Sequence, residues 1–118
     1  MYNYNYVNLE EGELEFISVA KVDELGNGQS LIFEVDGTPI ALFNIAGKYF
    51  AIADTCSHDD GPVAEGDLHD YEIECPRHGA RFDIRSGEAL TLPAVVDIPA
   101  YRVRVVGNEI QIGLPPDV

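Results

Sequence analysis

Residues 54–93 hold both cysteines of the chain, Cys56 and Cys75, and all three histidines, His58, His69 and His78. The same stretch is where apolar alternation breaks down. Its short strand-like pieces, Tyr71–Glu74 and Arg81–Ile84, stand among Gly61, Pro62, Gly66, Pro76, Gly79 and Gly87. A section of about forty residues with so little core of its own needs another source of order. Its ligand-bearing side chains fall into two boxes, Cys56-Ser57-His58 and Cys75-Pro76-Arg77-His78, with sixteen residues between His58 and Cys75. Two thiolates and two imidazoles make a complete four-ligand set for a soft or borderline metal centre.

The rest of the chain reads as all-β. In Leu31-Ile32-Phe33-Glu34-Val35 the apolar residues Leu31, Phe33 and Val35 share one face, and Asp36-Gly37 follows as a two-residue hairpin turn. Ile40–Ile45 is the expected return strand, Ala46-Gly47 the next turn, and Lys48–Ala53 a third strand. Towards the C-terminus Tyr101, Val103 and Val105 are expected to face inward, with Arg102 and Arg104 outward. Gly107-Asn108 then turns the chain into Ile110, Ile112 and Leu114. At 118 residues, 46% of them hydrophobic, one domain with one real core is expected.

Charge narrows the partners. The chain carries 21 acidic and 7 basic side chains, a net of −14. Residues 1–76 hold 16 of the acids against only Lys21 and Lys48, whereas residues 77–118 hold 5 acids and 5 arginines. Such a polyanion is a poor ligand for nucleic acid or an anionic membrane, and a protein partner is expected to present a basic face. No apolar run approaches the ~20 residues of a membrane span. The Tyr-Asn opening, Met1 to Tyr6, lacks the pattern of a secretory signal, and two cysteines are too few for a secreted disulfide scaffold. A cytoplasmic location is expected.

Three readings compete for the boxes. They are ordinary buried cysteines with loop histidines, a structural zinc site, or a 2Fe–2S centre with both cysteines on one iron and both histidines on the other. Structural zinc prefers boxes of like ligands, whereas each box here mixes Cys with His. Cys-x-His, sixteen residues and Cys-Pro-x-His-Gly, followed by Phe82-Asp83 and Ser86-Gly87, resemble a Rieske iron–sulfur domain over nearly the whole chain after Glu13. The resemblance implies an antiparallel β-sandwich base with a small cluster-binding subdomain on two loops. It also implies one 2Fe–2S cluster, with Cys56 and Cys75 on the inner iron and His58 and His78 on the outer one. Residues 1–12 are then an N-terminal extension, 13–118 the Rieske domain, and about 54–93 its cluster-binding section.

The resemblance further sorts the family by what surrounds the cluster. High-potential respiratory members carry an extra cysteine in each box, joined as a disulfide, at the places of Gly61 and Arg77. They follow the second box with a serine and a tyrosine that donate to the cluster, where this chain has Ala80 and Phe82. Both departures point to the low end of the Rieske range. A terminal oxygenase needs a second domain with a mononuclear iron, for which His69 alone is left. The best match is the ferredoxin component of ring-hydroxylating dioxygenase systems. Such a protein is no enzyme but a soluble one-electron carrier, from a flavin-dependent reductase to a terminal Rieske non-haem iron oxygenase. The small subunit of an assimilatory nitrite reductase and a zinc-stapled interaction module remain as alternatives. Leu92-Pro93-Ala94 resembles the family's cluster-covering proline loop, a plain turn being the alternative. Asp59 and Asp60 are solvated loop acids or a docking patch. Tyr2, Tyr4 and Tyr6 are a frayed terminus or an added strand. His69 is expected in a solvated loop.

Overall fold

Turn chemistry sets the first hairpins. Asp36 and Gly37 have φ of 50° and 80°, and Ala46 and Gly47 of 54° and 86°, the left-handed pairs that match the twist of flanking strands. Alanine is not a usual residue there. Two side chains hold that turn: Asn27 Oδ1 accepts the Ala46 N–H at 2.7 Å, and Asn44 Oδ1 the Gly47 N–H at 2.9 Å. Asn44 is buried, and its Nδ2 donates to the Leu25 carbonyl at 2.8 Å, so its polar ends are satisfied.

The structure is a computed structural model describing residues 14–56, 61–92, 94 and 96–114. Among these residues there are nine strands: β1 (Glu15–Lys21), β2 (Ser30–Val35), β3 (Thr38–Ile45), β4 (Lys48–Ala53), β5 (Leu68–His69), β6 (Glu72–Glu74), β7 (Arg81–Asp83), β8 (Ala100–Val106) and β9 (Glu109–Leu114). A 3-10 turn spans Val22–Glu24. The strands form a six-stranded sheet, ordered β1-β9-β8-β4-β3-β2, and a three-stranded sheet, β5-β6-β7, with every pair antiparallel.

The large sheet curls. β4 and β8 meet only at Ala51↔Tyr101 and Ile52↔Ala100, whereas β2 and β3 pair from Ser30↔Phe43 to Val35↔Thr38. The short seam lets two three-stranded wings face each other over a shared core. Ile40, Leu42, Ala51 and Ala53 come from one wing, and Ala20, Tyr101, Ile110 and Ile112 from the other. This is the expected sandwich base.

β3 is buried on both faces. Ile40 and Leu42 point into the base core, while Ala41 and Phe43 join a second core with Val63, Ile73, Phe82, Ile84, Cys56 and Cys75. The section expected to lack a core therefore shares one with the outer face of β3 and β4. Two smaller expectations also need correction. Val105 is 45% exposed, because only Tyr101 and Val103 of that face reach the base core. His69 is exposed, but it lies in β5 and not in a loop, with Nε2 3.4 Å from Glu74 Oε1. The extension expected at residues 1–12, with Tyr2, Tyr4 and Tyr6, lies outside the described residues.

Candidate metal centre

The second box occupies the turn of a hairpin. β6 and β7 pair through Glu72↔Asp83, Ile73↔Phe82 and Glu74↔Arg81, and residues 75–80 bridge their ends. The Cys75 N–H closes that loop onto the Ala80 carbonyl at 2.7 Å, and the Gly79 N–H returns to the Cys75 carbonyl at 3.0 Å. Gly79 has φ of 73°, which a glycine adopts without strain. Arg81 donates from Nε and Nη2 to Glu74 Oε1 at 3.2 and 3.1 Å across the loop's foot.

The first box has no hairpin beneath it. It follows β4 directly, and the Cys56 N–H closes its loop onto the Gly61 carbonyl at 2.7 Å. The two closures are alike, each running from a cysteine N–H to the carbonyl five positions on. What holds the stem of the first loop is Asp54, which is 5% exposed. Its Oδ1 accepts the N–H groups of Val63 and Ala64 at 2.9 and 2.8 Å, and its own N–H donates to the Pro39 carbonyl at 2.9 Å. A buried acidic side chain is tolerated here because backbone donors replace its water.

Beyond Val63 and Ala64 the backbone passes close to β6, at the foot of the second loop. A Cβ built on Gly66 would lie 1.6 Å from the Glu74 carbonyl oxygen, and the Glu74 N–H donates to Asp67 O at 2.9 Å. Cys56 and Cys75 are 0% and 1% exposed, neither forms a disulfide, and both belong to the same core. His78 is exposed at the other end of its box. His58, Asp59 and Asp60 lie outside the described residues. Among the described residues no three metal-ligating side chains converge by themselves.

The donor set still fits a mixed-ligand cluster. Sulfur donors sit inside, where an iron–sulfur core is shielded, and an imidazole sits at the surface, within reach of a docked partner. Leu90 and Thr91, just before Leu92-Pro93-Ala94, are tied to β7 at the foot of the second loop: the Leu90 N–H donates to Arg81 O at 2.8 Å and the Arg81 N–H to Thr91 Oγ1 at 2.9 Å. Leu92 is 77% exposed and Ala94 is buried, while Pro93 lies outside the described residues.

Residues 15–102 match the model of the Rieske [2Fe-2S] domain. The chain belongs to the Rieske family. It is 42% identical over 101 residues to the 3-phenylpropionate/cinnamic acid dioxygenase ferredoxin subunit of Escherichia coli (strain K12), covering 84% of this chain and 93% of that one. The ferredoxin of carbazole 1,9a-dioxygenase from Nocardioides aromaticivorans IC177 superposes with a TM-score of 0.78 at 37% identity, covering 82% of this chain and 95% of that one. A complex of reduced oxygenase and oxidized ferredoxin in carbazole 1,9a-dioxygenase gives a TM-score of 0.80 at 25% identity, covering 87% of this chain and 96% of the matched chain. This Rieske protein is thus of ferredoxin kind, an electron-carrying component. Among its described residues no helix is long and apolar enough to cross a membrane.

Behind the Rieske loops, Arg85 forks onto Asp83 at 3.0 and 2.8 Å and lies 4.3 Å over the Tyr71 ring, which meets Phe50 edge-on at 5.7 Å. Burial by itself would raise the Asp83 pKa. The Arg85 guanidinium and amide bonds outweigh it and hold the carboxyl below the ordinary range. Sequence reasoning missed Asp54 and Gly66. Asp54 stands two residues before the first cysteine, yet nothing in its spacing says that its carboxylate turns inward.

Proposed function

We propose that Cys56, His58, Cys75 and His78 hold the 2Fe–2S cluster, the two cysteines on the inner iron and the two histidines on the outer one. When bound, the cluster supplies a one-electron redox couple. The chain's own residues do the rest. Asp54 and the hairpin ladder fix the two loops, the buried cysteines anchor the site in the core, and the exposed His78 offers a short path to a docked partner. The single observation behind this reading is the match between two loops of equal length and closure, each with a buried cysteine at its head.

In this reading the protein works in the cytosol, takes electrons from a flavin-dependent reductase and delivers them to a terminal ring-hydroxylating oxygenase. The complex of oxygenase with a similar ferredoxin supports the second partner. Ala80 and Phe82 are both fully buried and carry no hydroxyl, which supports a low potential. The test is a ligand scan on the reduced holoprotein. His58→Ala and His78→Ala should each abolish the Rieske EPR signal, and His69→Ala should leave it intact. Normal cluster content and signal in His78→Ala would overturn the assignment.

A further inference from the structure

Arg77 sits between the two ligands of the second box, but its side chain reaches across to the first loop. Its Nη1 donates to the Pro62 carbonyl at 2.7 Å. Its guanidinium lies so close to Gly61 that a Cβ built there would stand 2.6 Å from Cζ and from Nη2, and 2.9 Å from Nε. A side chain at position 61 would force the guanidinium to shift away. The residues gripped are the exit of the first loop: the Gly61 carbonyl accepts the closing Cys56 N–H, and Pro62 precedes the amide that Asp54 holds.

We propose that Arg77 is a positioning residue, a latch that fixes the first ligand loop onto the second and so sets how the two boxes face each other. The proposal rests on the ligand assignment above. Arginine suits the task because its planar fork is pre-organised, stacks flat and holds its charge at any working pH. The contact is exposed, so it adds little to global stability. Its effect is local: it holds Gly61 and Pro62, which no strand ladder supports among the described residues, against the second loop.

The experiment uses the holoprotein with Arg77→Met, Gly61→Ala and the double variant. Two quantities are read, the rate of cluster loss to excess iron chelator and the EPR g-values of the reduced state. Each single variant should lose its cluster faster by about three- to tenfold, the effect of one hydrogen-bonded contact, and should shift or broaden the g-values. The double variant should be no faster than the faster single one, because both changes remove the same contact. Arg77→Lys keeps the charge but not the fork, and should recover less than half of the lost retention. Should Arg77→Met fail to assemble a cluster, Gly61→Ala and Arg77→Lys carry the same decision. Wild-type rates and g-values in the variants, or multiplicative effects in the double variant, would overturn the latch. Either outcome leaves the wild-type Rieske signal in place, whereas failure of the ligand assignment appears in the histidine scan.

Discussion

Loop 56–61 and loop 75–80 share a length and a closing hydrogen bond, from the cysteine N–H to the carbonyl five residues on. They differ in what lies beneath them. The second caps a hairpin, so its foot is fixed by the β6–β7 ladder and the Arg81–Glu74 contact. The first leaves β4, whose end is still held to β3 through the Asp54 N–H and the Pro39 carbonyl. Among the described residues its return side has no partner strand, and that side is fixed by one carboxylate, Asp54. A ligand loop can thus be built from local pairing or from a few long-range contacts. The second kind concentrates its stability in single side chains.

The largest effects are expected where that concentration is greatest. Asp54→Ala strands two buried amide donors and should cost about 3 kcal/mol, whereas Asp54→Asn, which keeps an accepting oxygen, should cost about half as much. Denaturant unfolding would check both, and equal losses would show that the carboxylate's charge, and not its geometry, holds the stem. Gly66→Ala drives a methyl into the Glu74 carbonyl, so either the Gly66 backbone or the end of β6 must move. A loss of about 2–3 kcal/mol is expected, with slower or incomplete cluster assembly.

A change of intermediate size tests the second loop. Reduction adds negative charge to the cluster, so a hydroxyl donated to it favours the reduced state. A hydrogen bond to a charged group is worth about 1.5–3 kcal/mol, and roughly half of that survives as a difference between redox states. At ~59 mV per 1.4 kcal/mol for one electron, Ala80→Ser with Phe82→Tyr should raise the midpoint potential by about 50–100 mV. Voltammetry giving an unchanged potential with the cluster intact would place the cause of a low potential in solvent access or net charge.

The smallest effect belongs to the Asp83–Arg85 pair. Asp83 titrates lower in the folded than in the unfolded chain, so its contribution is fully present above about pH 4. It is lost as pH falls through the lowered folded value. The stability gap between wild type and Asp83→Asn should therefore be constant from neutral pH down to mild acid and close below it. Arg85 is largely solvent-exposed, so the gap should be smaller than that of Asp54→Ala. A gap that widens in acid would contradict the direction of the shift.

The same contrast explains what could be read in advance. Asp36-Gly37, Ala46-Gly47 and Gly107-Asn108 mark three hairpin turns through chemistry carried by adjacent residues, and the strands around them fall where alternation places them. The two boxes stand out in the same way, because residue type and spacing are local. β1 was not. Its register shifts between Ser18 and Ala20, so Ile17, Val19 and Ala20 all pack on the base core and no period of two survives. The second core was hidden for a similar reason. Val63, Ile73, Phe82 and Ile84 stand singly among turn residues, and only the outer face of β3 and β4 makes them one cluster. Asp54 and Arg77 act on residues nine to fifteen positions away, beyond any local pattern.

Joint ligation by the two loops is tested most directly by pulsed EPR on the reduced holoprotein, with and without ¹⁵N-histidine. Two strongly coupled imidazole nitrogens are expected, both changing with the label, and both belonging to one cluster of two irons and two sulfides per chain. A cluster coupled to a single histidine nitrogen or to none, or a chain that holds zinc in place of iron, would contradict the account.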